Sequence, residues 1–165
     1  MISNETLEIL ASKVVFLDFD GVLAEYRYNG HISAGDGSNN GQTVEEINNH
    51  VFRSARPIKS IIEKVEKYCK TEYLFVLGHV RSEGEGLVFG IEKLDKKEWL
   101  AKYCPFISSS YCIFLVEYES KAEHMDKICK RLGTQDAVLI DDKLDILREV
   151  EEKGYKALHV SSLID

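Results

Sequence analysis

Five short apolar runs, rich in β-branched and aromatic residues, alternate with segments of helical period, and no other feature constrains this chain as strongly. The runs are Val14–Phe19, Tyr73–Leu77, Cys112–Glu117, Ala137–Ile140 and Lys156–Val160. Between them, Ile58–Cys69, Lys96–Tyr103, Lys121–Leu132 and Leu144–Lys153 repeat apolar residues three or four positions apart. A short helix near Glu5–Leu10 comes before the first run. Strand–helix alternation predicts an α/β fold, a doubly wound, three-layer (Rossmann-like) parallel sheet of about five strands. Ligands of such sheets bind beyond the carboxyl ends of the strands. Residues able to do chemistry are expected there.

Several helix boundaries carry their own marks. "DKKE" (Asp95 to Glu98), "SKAE" (Ser120 to Glu123) and "TVEE" (Thr43 to Glu46) each place a capping residue three positions before a glutamate. Gly133 and Gly154 fall just past helical runs, where a left-handed residue is wanted. Pro105 likewise follows a helix end.

The 165 residues suit one domain with a full core, taken here as 1–165. No apolar run approaches the roughly 20 residues of a membrane-spanning helix, and the N-terminus lacks the basic start and apolar core of a secretory signal. A cytoplasmic protein with no membrane partner is expected. The net charge is −7 and the basic residues are scattered, which argues against binding duplex nucleic acid. A small phosphorylated substrate is compatible, because a metal and a few local cations suffice for one phosphate. Cys69, Cys104, Cys112 and Cys129 show no metal-binding spacing and read as buried, reduced thiols.

The segment 24–56 interrupts the rhythm. Its middle, Gly35–Gly41, is Gly, Ser and Asn with one Asp, and Thr43–Ser54 is compatible with a single helix. A connection this long in a compact α/β domain commonly serves as a lid or substrate loop. A small cap after the first strand is expected, with Tyr26, Tyr28, His31, His50, Arg53 and Arg56 available to meet substrate.

Aspartates gather at two strand ends. "FLDFDG" sets Asp18 and Asp20 two apart before Gly21, and "VLIDDKLD" supplies Asp141, Asp142 and Asp145. If the first strand continues through them, Asp18 and Asp20 face the same side. With the first and fourth strands adjacent, these carboxylates converge, and such a cluster cannot stay fully ionised without a cation. Oxygen ligands suit Mg2+.

"VVFLDFDGVL" and "AVLIDD" resemble the two end motifs of the haloacid dehalogenase (HAD) superfamily, hhhhDxDG on the first strand and an acidic pair on the fourth. The resemblance covers Val14 to about Val160 apart from the insert. It implies a Mg2+-dependent phosphomonoester hydrolase in which Asp18 is the nucleophile and Asp20 the general acid and then base. The metal would rest on Asp18, the backbone carbonyl of Asp20, and Asp141, with Asp142 or Asp145 acting through water.

The family's phosphate-holding lysine matches Lys121, in the first turn of the helix opened by Ser120. Lys97, in "KKEWLAKY", is the rival. The family's Ser or Thr at the end of the second strand falls on Gly78 in "YLFVLGHVRSE", with His79, Arg81 or Ser82 available in its place. "DFDGVLA", "KKEWLAKY" and "LIDD" look most like the 5'-nucleotidase type C or deoxyribonucleotidase-like branch. With so small a cap, the site is expected to be open or to be completed by a second copy of the chain. Two alternatives stand beside this reading: a non-catalytic or weakly active module that binds phosphoryl ligands, and a phosphatase for a macromolecular substrate.

Overall fold

The computed structural model describes residues 1–25, 27–28, 31–32, 44–80 and 90–164. Its central sheet contains β1 (Val14–Leu17), and the chain continues into a two-stranded hairpin, β2 (Arg27–Tyr28) with β3 (His31–Ile32). The remaining sheet strands are β4 (Tyr73–Val80), β5 (Cys112–Val116), β6 (Ala137–Asp141) and β7 (Lys156–His159). All five pair in parallel, in the order β5-β4-β1-β6-β7. Val14 is opposite Tyr73 on one side and Ala137 on the other. After β1 the chain runs outward to β4 and β5, then returns to lay β6 against the other side of β1. The switch point therefore lies between β1 and β6, where a doubly wound sheet opens a crevice.

Among the described residues, six α-helices complete the fold: α1 (Asn4–Leu10), α2 (Val44–Asn48), α3 (Lys59–Tyr68), α4 (Ile91–Tyr103), α5 (Lys121–Leu132) and α6 (Leu144–Glu152). Side-chain alternation along β1 splits the core into two layers. Val15 and Leu17 join Ile61, Ile62 and Val65 of α3 and Trp99 and Leu100 of α4. Val14 and Phe16 join Ala122, Met125 and Cys129 of α5 and Val150 of α6. Both faces are covered, which is why the strands read as apolar runs without polar alternation. No helix among the described residues is long and apolar enough to cross a membrane.

The sequence marks for caps hold at four places. The Ser120 hydroxyl accepts a hydrogen bond from the Glu123 amide at 3.3 Å. Gly133 and Gly154 both have positive φ after helix ends, and α4 stops just before Pro105. Thr43 lies outside the described residues.

Two expectations are corrected. The 43–54 segment does not form one helix. After α2 the chain turns at Asn49 and His50, His50 takes φ 62, and Val51–Ser54 forms a separate 3-10 turn. The break lets Ile47, Val51 and Phe52 all point into the core. Nor does Asp95 cap a helix. Helix α4 begins at Ile91, and Asp95 lies inside it, fully buried. The inward stripe of α4 is Glu92, Asp95, Lys96, Trp99 and Leu100, so its first half is charged and escapes a search for apolar periodicity. The four cysteines are buried and free.

Candidate active site

Strand β1 ends at Leu17, one residue before the first aspartate. The Asp18 amide still donates to the Ile140 carbonyl at 3.0 Å, which locks Asp18 beside β6. The chain then coils: Leu23 and Ala24 both donate to the Phe19 carbonyl at 3.0 Å, and the Gly21 amide donates to the Ala24 carbonyl at 2.7 Å. Gly21 has φ 82, a conformation that favours glycine.

Because the strand has ended, Asp18 and Asp20 do not face the same side. Asp18 turns toward the α5 layer and Asp20 toward α4. This departs from the shared orientation that strand alternation alone predicts.

On the α5 side, Lys121 Nζ donates to Asp18 Oδ1 at 2.7 Å and to Asp141 Oδ2 at 2.8 Å. All three residues are buried. Asp141 Oδ1 also accepts from the amides of Asp142 and Lys143, at 2.8 and 3.0 Å. The Ser120 cap fixes the first turn of α5, and with it the root of Lys121. Burial and the neighbouring Asp141 push the Asp18 carboxyl well above the usual carboxylate range, against the pull of Lys121. Burial also acts to raise Asp141, but Lys121 and the amide donors outweigh it and hold that carboxyl below its ordinary value. Burial acts to lower the Lys121 pKa; Asp18 and Asp141 more than offset it and carry the ammonium up to about 12.

Asp18, Asp141 and Asp142 each offer a carboxylate oxygen, and these oxygens all lie within 4.8 Å of one another. Lys121 is bonded to two of the three, Asp18 and Asp141. A hard divalent cation with oxygen ligands suits this donor set. The Asp20 side chain is not among the three, and Asp145 lines the neighbouring cavity.

On the α4 side, Lys96 Nζ donates to Asp20 Oδ2 at 2.7 Å and to Glu92 Oε2 at 2.6 Å. Lys96 is fully buried, with its ammonium 5.2 Å from the Phe19 ring centre and 5.0 Å from that of Phe52. Burial opposes its charge, but Asp20 and Glu92 outweigh that and raise its pKa. Lys96 was not among the sequence candidates, which weighed Lys97 and Lys121. The signal was present in the spacing Glu92, Asp95, Lys96, Trp99 and Leu100, one helical stripe that mixes charged residues with a tryptophan. Lys97 instead lines a separate cavity with Leu100, Ala101, Pro105 and Ser108.

The second-strand position resolves in an unexpected way. A Cβ on Gly78 would meet Phe114 Cε1 at 3.1 Å and Phe19 Cβ at 3.4 Å, so residue 78 faces the α3–α4 core. Its neighbour His79 faces the other layer, where a small recess is lined by Asp18, His79, Lys121, Lys143 and Ile146. A larger cavity of about 330 Å³ shares His79, Lys121, Lys143 and Ile146 with that recess and extends to Tyr118, Ser120 and Asp145. His79 Nε2 donates to the Glu119 carbonyl at 2.8 Å, and burial lowers the pKa of the ring. Arg81 and Ser82 lie outside the described residues, as do Tyr26 and Gly35–Gly41. Tyr28 and His31 sit on the β2–β3 hairpin.

Two other candidates of the insert, His50 and Arg53, are engaged elsewhere. Asp95 binds His50 Nδ1 and Arg53 Nε, each at 3.0 Å, and Arg56 is exposed. The Trp99 indole donates to the Ala55 carbonyl at 2.8 Å. These contacts fasten the described end of the insert to α4.

No family model matches this chain, and no curated protein does. Among solved structures it is similar to the N-terminal part of a Bacteroides fragilis protein, containing a phosphatase domain complexed with Mg, at 18% identity and a TM-score of 0.48. The likeness covers 93% of this chain but 38% of that one, so this chain spans well under half the length of that structure.

Proposed function

We propose that this protein is a Mg2+-dependent phosphomonoester hydrolase of the haloacid dehalogenase type, with Asp18 as nucleophile. The observation that carries the reading is the cluster at the switch point: Asp18, Asp141 and Asp142 within metal-sharing distance, with Lys121 bound to two of them. Mg2+ held by these three would neutralise the repulsion between a carboxylate and an anionic phosphoryl group. The Asp18 carboxylate attacks phosphorus, and an O–P bond forms as the ester O–P bond breaks. Asp20 delivers its proton to the leaving oxygen. It then takes a proton from the water that attacks the aspartyl-phosphate, and phosphate departs with Asp18 restored.

Lys121 orients Asp18 and would share the phosphoryl charge. His79 and the amide of Gly78 border the phosphate position from β4, and Arg81 remains a candidate for it. The substrate is a small phosphorylated metabolite, with nucleotides as one class, whose phosphoryl group would sit in the recess lined by Asp18, His79, Lys121 and Lys143.

The deciding experiment is a phosphate-release screen over nucleotides, sugar phosphates and aryl phosphates, with and without Mg2+. Mg2+-dependent turnover that Asp18→Asn abolishes, with the circular dichroism spectrum unchanged, is the expected result. A folded wild type inactive on the whole panel but able to bind phosphate with Mg2+ would favour the binding-module reading.

A further inference from the structure

Lys96 is the one fully buried lysine on α4, and its position is costly. A buried ammonium must be both paired and hydrogen-bonded to be tolerated. Here it is held by Asp20 at 2.7 Å and Glu92 at 2.6 Å, with the rings of Phe19 and Phe52 alongside. Phe52 comes from the insert and Glu92 from the preceding turn of the same helix, so three separate parts of the chain converge on one amine. A salt bridge kept for stability alone would gain little over apolar packing at this depth.

The arrangement has a geometric consequence. Asp18 and Asp20 are two residues apart, yet only Asp18 joins the three-carboxylate cluster. The Asp20 carboxylate lies toward the opposite layer, where Lys96 binds it at 2.7 Å.

We propose that Lys96 is a positioning residue for proton transfer: it holds the Asp20 carboxylate clear of the metal-binding cluster, in the orientation from which Asp20 serves the leaving oxygen. This rests on the phosphatase reading above. Glu92 completes the device. An ammonium bound only by Asp20 would depend wholly on the residue that must exchange protons, whereas Glu92, one helical turn away, keeps it anchored throughout. Lys96 itself touches neither phosphate nor metal.

The test separates leaving groups that need a proton from those that do not. Wild type, Lys96→Met and Lys96→Arg are assayed with Mg2+ on phenyl phosphate and on 2,4-dinitrophenyl phosphate. Mg2+ affinity is measured calorimetrically for each. Lys96→Met is expected to lose roughly 100-fold in kcat/KM on phenyl phosphate, within the span of general acid catalysis. That constant reports the step where the leaving group departs and not the later hydrolysis common to both esters. On the dinitrophenyl ester kcat/KM stays near wild type, Mg2+ affinity is unchanged, and Lys96→Arg recovers part of the loss on phenyl phosphate.

Because Lys96→Met strands two buried carboxylates, the double variant Lys96→Met/Glu92→Gln, which keeps the local net charge, serves if the single variant does not fold. Equal losses on both esters, or no loss on either, would overturn the positioning role. A wild type inactive on these esters and on the whole nucleotide and sugar-phosphate panel overturns the phosphatase reading itself and the role of Lys96 with it.

Discussion

Phe114 occupies the space that a side chain on Gly78 would need: a Cβ placed there lies 3.1 Å from Phe114 Cε1 and 3.2 Å from Cδ1. Phe114 also packs edge-on against Phe19, with centroids 6.0 Å apart, between the two aspartates' positions in the chain and β5. Residue 78 therefore faces the α3–α4 core, where a side chain would press on Phe114. The absence of a hydroxyl at that position does not leave a gap at the site, because the side chain facing Asp18 from β4 belongs to His79.

Gly78→Ser should not create a better phosphatase. The added atoms press on Phe114, and overpacking of this kind costs about 1–3 kcal/mol. Urea denaturation should show the loss, with phosphate release no faster than wild type. A stable and more active Gly78→Ser would mean that residue 78 does face the phosphate.

Lys121 and Lys97 are expected to separate sharply. Lys121→Ala removes the cation shared by Asp18 and Asp141 and should lower kcat by about 10²–10³-fold, the usual cost of losing one preorganised electrostatic partner. Lys97→Ala should stay within about twofold of wild type. The measurement is kcat for each variant at saturating Mg2+, and the reverse ranking would remove Lys121 from the site.

Mg2+ binding should depend on pH with a definite sign. Asp18 is held well above the usual carboxylate range by burial and by Asp141, so in the metal-free protein it keeps its proton to unusually high pH. A raised carboxyl favours the folded state at low pH, and that contribution is lost as pH rises through its folded-state value. Mg2+ competes with the same proton. Its affinity should therefore rise with pH across the Asp18 titration, with proton release visible as a buffer-dependent calorimetric enthalpy. The gain in Tm from Mg2+ should be larger at pH 8 than at pH 5, and Asp18→Asn should flatten the dependence.

Asp95 should hold the insert to α4. It is fully buried, and both His50 Nδ1 and Arg53 Nε donate to it at 3.0 Å. Both partners are partly solvated, so Asp95→Ala is expected to cost about 1–2 kcal/mol rather than the full penalty of a deeply buried pair. Hydrogen exchange should quicken at Val51–Ser54 while the amides of β1 and β6 keep their protection. Uniform loss of protection would place Asp95 in the global core instead.

The sequence by itself determined the layer order of the fold and the acidic end of its first strand. Apolar runs buried on both faces can only be central strands, and helical segments between them force parallel crossovers. Capping residues act through neighbours three positions away, so Ser120, Gly133 and Gly154 announce their own geometry. Tertiary structure decided what those local patterns do not encode. Whether Asp18 and Asp20 share a face depends on where β1 stops, and it stops at Leu17 because the chain coils back onto the Phe19 carbonyl.

Whether Asp95 and Lys96 point outward or inward depends on partners 42 to 76 residues away in the chain, and Glu92 binds Lys96 four positions on. A charged stripe on a helix reads as a solvated face until carboxylates and cations from distant segments make its burial affordable. The partners of Lys96, like the choice between Gly78 and His79, come from long-range packing, which a single sequence records only as residues with no visible counterpart.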